Sequence, residues 1–176
     1  MKIDFEKIGT IASYLAENTD RFYVTKLLKL FYYIDFLSYN QRGASITNDT
    51  YYKFPYGPVP TLIKNEIDLL ASDILGDEGK TQLSNYILLE DADDKFGKII
   101  RSKVKVNIDE KLSEFEADLV KSVANKFKKT YSKTLSNQTH KENPWMLSSF
   151  YSEIDYNLAK EMDPERILGV KKWIQK

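Results

Sequence analysis

Hydrophobic and polar positions follow a helical period along most of this chain, and in a few places they shorten to an extended one. Ile8, Ile11, Ala12 and Leu15 recur at helical spacing, and Asp4 supplies the cap of a first helix running to about residue 18. Asn18-Thr19-Asp20 breaks the pattern, and Thr25 is the next N-cap candidate. Beyond it Leu27, Leu30, Phe31, Ile34, Leu37 and Ser38 share one face, while Leu28, Tyr32, Tyr33, Phe36 and Tyr39 widen the apolar arc. A helix apolar on most sides is central to its fold. Gly43 closes it, as a C-terminal glycine in the left-handed region does.

Residues 46–54 read as extended, with Thr47, Tyr51 and Tyr52 as β-formers. The next six, Pro55-Tyr56-Gly57-Pro58-Val59-Pro60, are expected to end any ladder, because each proline lacks an N–H and restricts the residue before it. Pro58 or Pro60 then opens a helix carrying Leu62, Ile63, Ile67 and Leu70 and ending near Ser72. Residues 74–80 read as a loop, and 86–89 and 99–108 as two short strands joined by a hairpin connection over 90–97. Asn107 and Glu110 form a capping box ahead of an amphipathic helix lined by Leu112, Phe115, Leu119, Val123 and Phe127. A short helix is expected over 144–151. A last one begins near Asp163-Pro164, with Ile167, Leu168, Val170, Trp173 and Ile174 as its apolar set. No repeat or linker interrupts residues 1–176, which read as a single domain. The fold class is mainly α (α+β): about six helices around the apolar central helix, with a small antiparallel β element of two or three short strands.

Composition narrows the function. Lys plus Arg total 26 and Asp plus Glu total 26, so the chain as a whole has no polyelectrolyte reason to bind nucleic acid. There is no cysteine, which removes disulfides, thiolate chemistry and Cys-based zinc sites. The N-terminus carries charges within its apolar pattern and does not read as a signal peptide. No run approaches the ~20 apolar residues that span a bilayer. A cytoplasmic protein with no membrane partner is the expectation.

Candidate chemistry is thin. His140 is the only histidine; as a general base it would need Glu142 or Asp155 to orient it, and the simpler reading is a ring that caps a helix or bonds a loop. The acid run Glu90, Asp91, Asp93, Asp94 lacks the alternating pattern of a calcium loop and reads as a solvated turn. Lys121, Lys126, Lys128, Lys129 and Lys133 make a basic face best read as solvated, although Phe127 and Tyr131 lie among them. No catalytic, cofactor-binding or metal-binding residue is assigned. Twelve Tyr and nine Phe are many for 176 residues, and Tyr51, Tyr52, Phe54 and Tyr56 cluster at the proline-locked corner. Rigid aromatics bind partners at low entropic cost, so Tyr51, Tyr52 and Tyr56 are the candidate partner-binding residues.

The order of motifs resembles a known family. Lys26-Leu27-Leu28-Lys29-Leu30-Phe31-Tyr32-Tyr33 resembles the "KLxKLLYY" helix of the Panacea domain, the family of SocA-like antitoxins and phage-associated GepA-like proteins. Gly43 and Ile46 match its "G-x-x-I" step, and Tyr56-Gly57-Pro58-Val59 its "YGPV" signature. Leu135-Ser136, Thr139-His140 and Pro144-Trp145 resemble its "LSxxTHxxxPW" element. The resemblance implies a framework role for these residues. It implies an antitoxin that neutralises a cognate protein toxin, usually encoded beside it, by direct contact. A proteolytic adaptor delivering the toxin to a ClpXP-type protease is the alternative, and a small enzyme using His140 stands last. The family carries no cofactor.

Overall fold

The computed structural model describes residues 3–72, 81–93 and 97–169. Along the chain come α1 (Phe5–Asn18), α2 (Val24–Arg42), β1 (Tyr51–Phe54), β2 (Gly57–Pro60), α3 (Thr61–Ala71) and a 3-10 turn over Gln82–Asn85. They are followed by β3 (Ile87–Asp91), β4 (Lys98–Ser102), α4 (Ile108–Lys111), α5 (Glu114–Phe127), α6 (Ser132–Thr139) and α7 (Asn143–Leu147). A second 3-10 turn over Tyr156–Glu161 leads to α8 (Pro164–Leu168). The architecture is mainly α, with two antiparallel hairpins, β1–β2 and β3–β4.

Every residue of α2 from Lys26 to Ser38 is buried, as the wide apolar arc requires. It packs against α5, α6, β2 and the second 3-10 turn. Rings tie these layers together: Tyr33 stacks on Phe127 at 4.9 Å and Phe36 on Tyr156 at 4.5 Å. The ends of both opening helices follow their local chemistry. The Asp4 carboxylate accepts from the Lys7 N–H, and Gly43 closes α2 at φ 68 in the left-handed region.

Several boundaries differ from expectation. Helix α2 starts at Val24 behind Tyr23, which makes no side-chain cap bond, so Thr25 is inside the helix. Only Tyr51–Phe54 of the expected extended run is strand. Residues 44–50 instead wrap two buried carboxylates. Asp35 accepts from the Ile46 and Thr47 N–H groups, the Thr47 hydroxyl and the Tyr51 hydroxyl. Asp49 accepts from the Leu62 and Ile63 N–H groups, and so caps α3 from outside its own sequence.

The largest correction is β2. Pro58 and Pro60 were expected to end the ladder, yet Gly57–Pro60 pairs with β1, placing Pro58 opposite Lys53 and Pro60 opposite Tyr51. Lys53 and Tyr51 turn their own backbone groups the other way: Lys53 N–H donates to Ser152, and Tyr51 C=O accepts from Ile154. The prolines therefore occupy positions where the ladder asks for no N–H. Elsewhere Asn107, expected to open a capping box, starts only the single turn α4. There Asn107 accepts from the Asp109 N–H and meets Glu110 through its side-chain NH2, so the box itself does not form, and the long helix restarts behind a box of Ser113 and Glu116. The short helix expected over 144–151 stops at Leu147. The expected loop at 74–80, part of the 90–97 connection and the end of the last helix, with Trp173 and Ile174, lie outside the described residues.

Candidate partner-binding surface

Three separated sequence segments meet at one buried lysine. Lys29 leaves α2 and donates from Nζ to the Pro58 carbonyl at 2.8 Å. Gly57 sits beside it at φ +106, a conformation that L side chains rarely adopt. A Cβ there would stand 2.7 Å from Lys29 Cε and 2.8 Å from the Thr139 hydroxyl oxygen. Ser136, one turn earlier on α6, donates to the Tyr56 carbonyl. The glycine is thus required by close approach as well as by φ. Among the described residues Lys29 has no carboxylate partner, and burial pulls its ammonium down to about 7.

Lys26 is handled differently. Its Nζ donates to the carbonyls of Asp20 and Lys128, at 2.8 and 2.9 Å, just past the C-terminal end of α5. A cation suits that end of a helix dipole. Burial pulls this ammonium down to about 8.

The corner also builds a surface. After α7 the chain turns back and pairs with β1 through Tyr151 N–H to Lys53 C=O and Ile154 N–H to Tyr51 C=O. That return brings Phe150 and Tyr151 beside Phe54 and Trp145. Phe54 meets Tyr151 at 5.8 Å, and Trp145 meets Phe150 at 5.7 Å, both edge to face. Lys53 lies beneath, its Nζ 4.1 Å from the Trp145 ring centre and 4.6 Å from that of Phe150. Trp145 Nε1 donates to the Phe54 carbonyl at 3.3 Å.

The outer faces of this set are open. Tyr56 is 81% exposed, Tyr151 67%, Leu147 63%, Phe150 53% and Met146 50%. Tyr151 is also held at φ 62, which a bulky side chain enters only under constraint. Strain of this kind collects at functional sites, and here it projects an aromatic ring into solvent.

The three residues chosen from the sequence separate. Tyr56 is on the surface, Tyr52 is half-buried, and Tyr51 is fully buried with its hydroxyl 2.8 Å from Asp35. Sequence reasoning missed Met146, Leu147, Phe150 and Tyr151, although the apolar run Met146-Leu147 beside Trp145 was a visible signal. Of the framework positions, Leu27, Leu30, Tyr32 and Ile46 are core, Val59 is half-buried in β2, and Pro144 is buried in α7.

Among the described residues, neither Glu142 nor Asp155 makes a hydrogen bond to His140. Its ring stacks on Trp145 at 4.0 Å. Glu142 pairs with Arg166 at 2.7 Å, and Asp155 accepts from the Asn157 N–H at 2.8 Å. Burial, then the neighbouring charges of Lys29 and Lys53, hold the imidazole below its ordinary value. Glu90 and Asp91 pair with Arg101 and Lys98 across the second hairpin, so they act as cross-strand partners. Among the described residues, no helix is long and apolar enough to cross a membrane.

The fold is thus a helical framework locked by buried polar groups, with exposed aromatic rings on one side. The family model for the SocA-like antitoxin, Panacea domain, matches residues 27–146, and this chain belongs to that family. No curated protein and no solved structure matches the chain. The match covers Lys29, Gly57, Pro58 and Thr139, so the buried junction lies within the matched residues.

Proposed function

We propose that this protein is an antitoxin that neutralises a cognate toxin, encoded beside it, by direct stoichiometric contact through the aromatic surface of Tyr56, Trp145, Phe150 and Tyr151. Membership of the SocA-like antitoxin family supports the role and implies a toxin partner in general. The single observation that favours this surface is its exposed rings, anchored from below by Lys53 and by β1. Aromatic anchors on a rigid base lose little entropy on binding, which is what a hot spot needs.

The test is co-expression with the product of the adjacent reading frame. The expected result is that this product stops growth alone, is tolerated with the antitoxin, and co-purifies with it at a fixed ratio. A harmless product that does not co-purify sinks the reading. Delivery to a ClpXP-type protease is told apart by the toxin's level: disappearance that depends on the protease indicates an adaptor, and a stable complex indicates direct inhibition.

A further inference from the structure

A second concave site lies away from the aromatic surface. A cavity of about 220 Å³ opens between α5, α6, α8 and the turn after α6. Its apolar lining is Tyr33, Phe127 and Ile167, all buried. Its polar lining is Lys126, Lys141, Arg166, Glu142 and Gln138. The chain is neutral overall, so three cations against one carboxylate around a single cavity are a local excess.

Two observations show unused binding capacity. Arg166 gives one N–H to Glu142 at 2.7 Å and has other donors to spare, while the Lys126 and Lys141 ammonium groups make no hydrogen bond or ion pair among the described residues. Gln138 places its Oε1 in a buried position with no hydrogen-bond partner. A buried polar atom without a partner costs stability, so something is expected to meet it. The amide can rotate to offer either its oxygen or its NH2 group.

We infer that this cavity binds a small organic anion. Its carboxylate or phosphate oxygens would be held by Lys126, Lys141 and Arg166, with its carbon frame against Tyr33, Phe127 and Ile167. Gln138 then meets a hydroxyl or amine on the same ligand. Glu142 holds Arg166 in place and excludes anions too large to sit beside it. The volume falls below the roughly 300–1,000 Å³ of drug-sized pockets, which points to a ligand of few atoms. The site is independent of the toxin-binding reading.

The test is isothermal titration with citrate and, separately, glycerol 3-phosphate, which carries no carboxylate, at constant ionic strength. Saturable one-to-one binding of either supports the site, and the tighter of the two identifies carboxylate or phosphate as its chemistry. Lys126→Ala with Lys141→Ala is expected to weaken binding at least about tenfold, the loss of one charge-assisted contact or more. Both lysines are exposed, so an unchanged melting temperature verifies the fold. Lys128→Ala with Lys129→Ala, outside the cavity, is expected to leave binding unchanged. Absence of saturable binding by both probes overturns the inference. So does equal weakening by the two double variants, which would reveal a diffuse surface effect.

Discussion

The Nζ of Lys29 donates to the carbonyl oxygen of Pro58 at 2.8 Å, and the lysine stem that reaches it fills the space where Gly57 would carry a side chain. This one contact explains why three motifs far apart in sequence belong together. The lysine of α2 needs the glycine before the proline, and Thr139 of α6 closes on the same spot. Gly57→Ala meets backbone strain at φ +106 and atoms at 2.7 and 2.8 Å together. The expected loss is about 2–4 kcal/mol. It is measured as a fall in urea midpoint at unchanged slope. In a Lys29→Ala background the same change should cost less, and additive losses would show that the two residues are not coupled.

Lys29 also gives the protein a predictable pH dependence. Its folded value is about 7 against 10.5 for the free side chain. Between those values the unfolded chain holds a proton that the folded one lacks, so stability rises with pH across that window. The contribution is complete above 10.5 and is lost as pH falls through about 7. One proton corresponds to a slope of about 1.4 kcal/mol per pH unit. Lys29→Met should remove that increment from the stability profile measured by urea titration between those limits. A profile parallel to the unaltered protein's would refute the assignment.

How far the sequence revealed this depends on whether each feature is local. The α1 cap at Asp4 and the α2 stop at Gly43 rest on neighbours in sequence, and both were legible. Strand β2 was not, because a proline breaks a ladder only if its missing N–H faces the partner strand. That direction was set by residues 151–154, which pair with the far side of β1. The aromatic surface was half legible for the same reason: Tyr56 was visible, while Phe150 and Tyr151 reach it only through that return. Asp35 was overlooked, although a carboxylate inside Tyr32-Tyr33-Ile34-Asp35-Phe36-Leu37 has to be satisfied by something.

Asp35 supplies the next test. Four donors converge on it, and burial outweighs them, pushing its carboxyl up to about 6 from 3.8. Asp35→Asn keeps an oxygen for the two N–H groups but removes the charge, and its NH2 meets the Thr47 and Tyr51 hydroxyls, which must reverse to accept from it. The expected cost is about 2–4 kcal/mol at pH 7. The raised value also means that this group's contribution is greatest below 3.8 and is lost as pH rises through about 6. In the Asn variant that part of the pH profile should flatten.

His140 and Trp145 provide a spectroscopic handle. The rings stack at 4.0 Å and 16°, so protonating the imidazole places a cation on the indole face and quenches its emission. In a Trp173→Phe background the fluorescence of Trp145 should fall with acid, at a midpoint below the ordinary imidazole value. Burial and the charges of Lys29 and Lys53 cause that displacement. Lys53→Met should move the midpoint upward, and a midpoint that stays fixed would remove Lys53 from the cause.

Tyr151 separates the surface from the scaffold. It stands at φ 62 with its ring 67% exposed, so the fold gains little from the side chain and bears its backbone strain. Glycine adopts that conformation freely, and Tyr151→Gly should raise stability or leave it level, within about 1 kcal/mol. If the aromatic surface holds the toxin, the same change should weaken co-purification of the adjacent gene's product and restore its toxicity in cells. Tyr56→Ala should behave alike, since an 81% exposed ring has almost nothing to lose in the free protein. A hot spot loses at least about 2 kcal/mol of binding on truncation. Retained neutralisation in both variants would place the toxin elsewhere on the molecule, because no loss of fold could then mask the result.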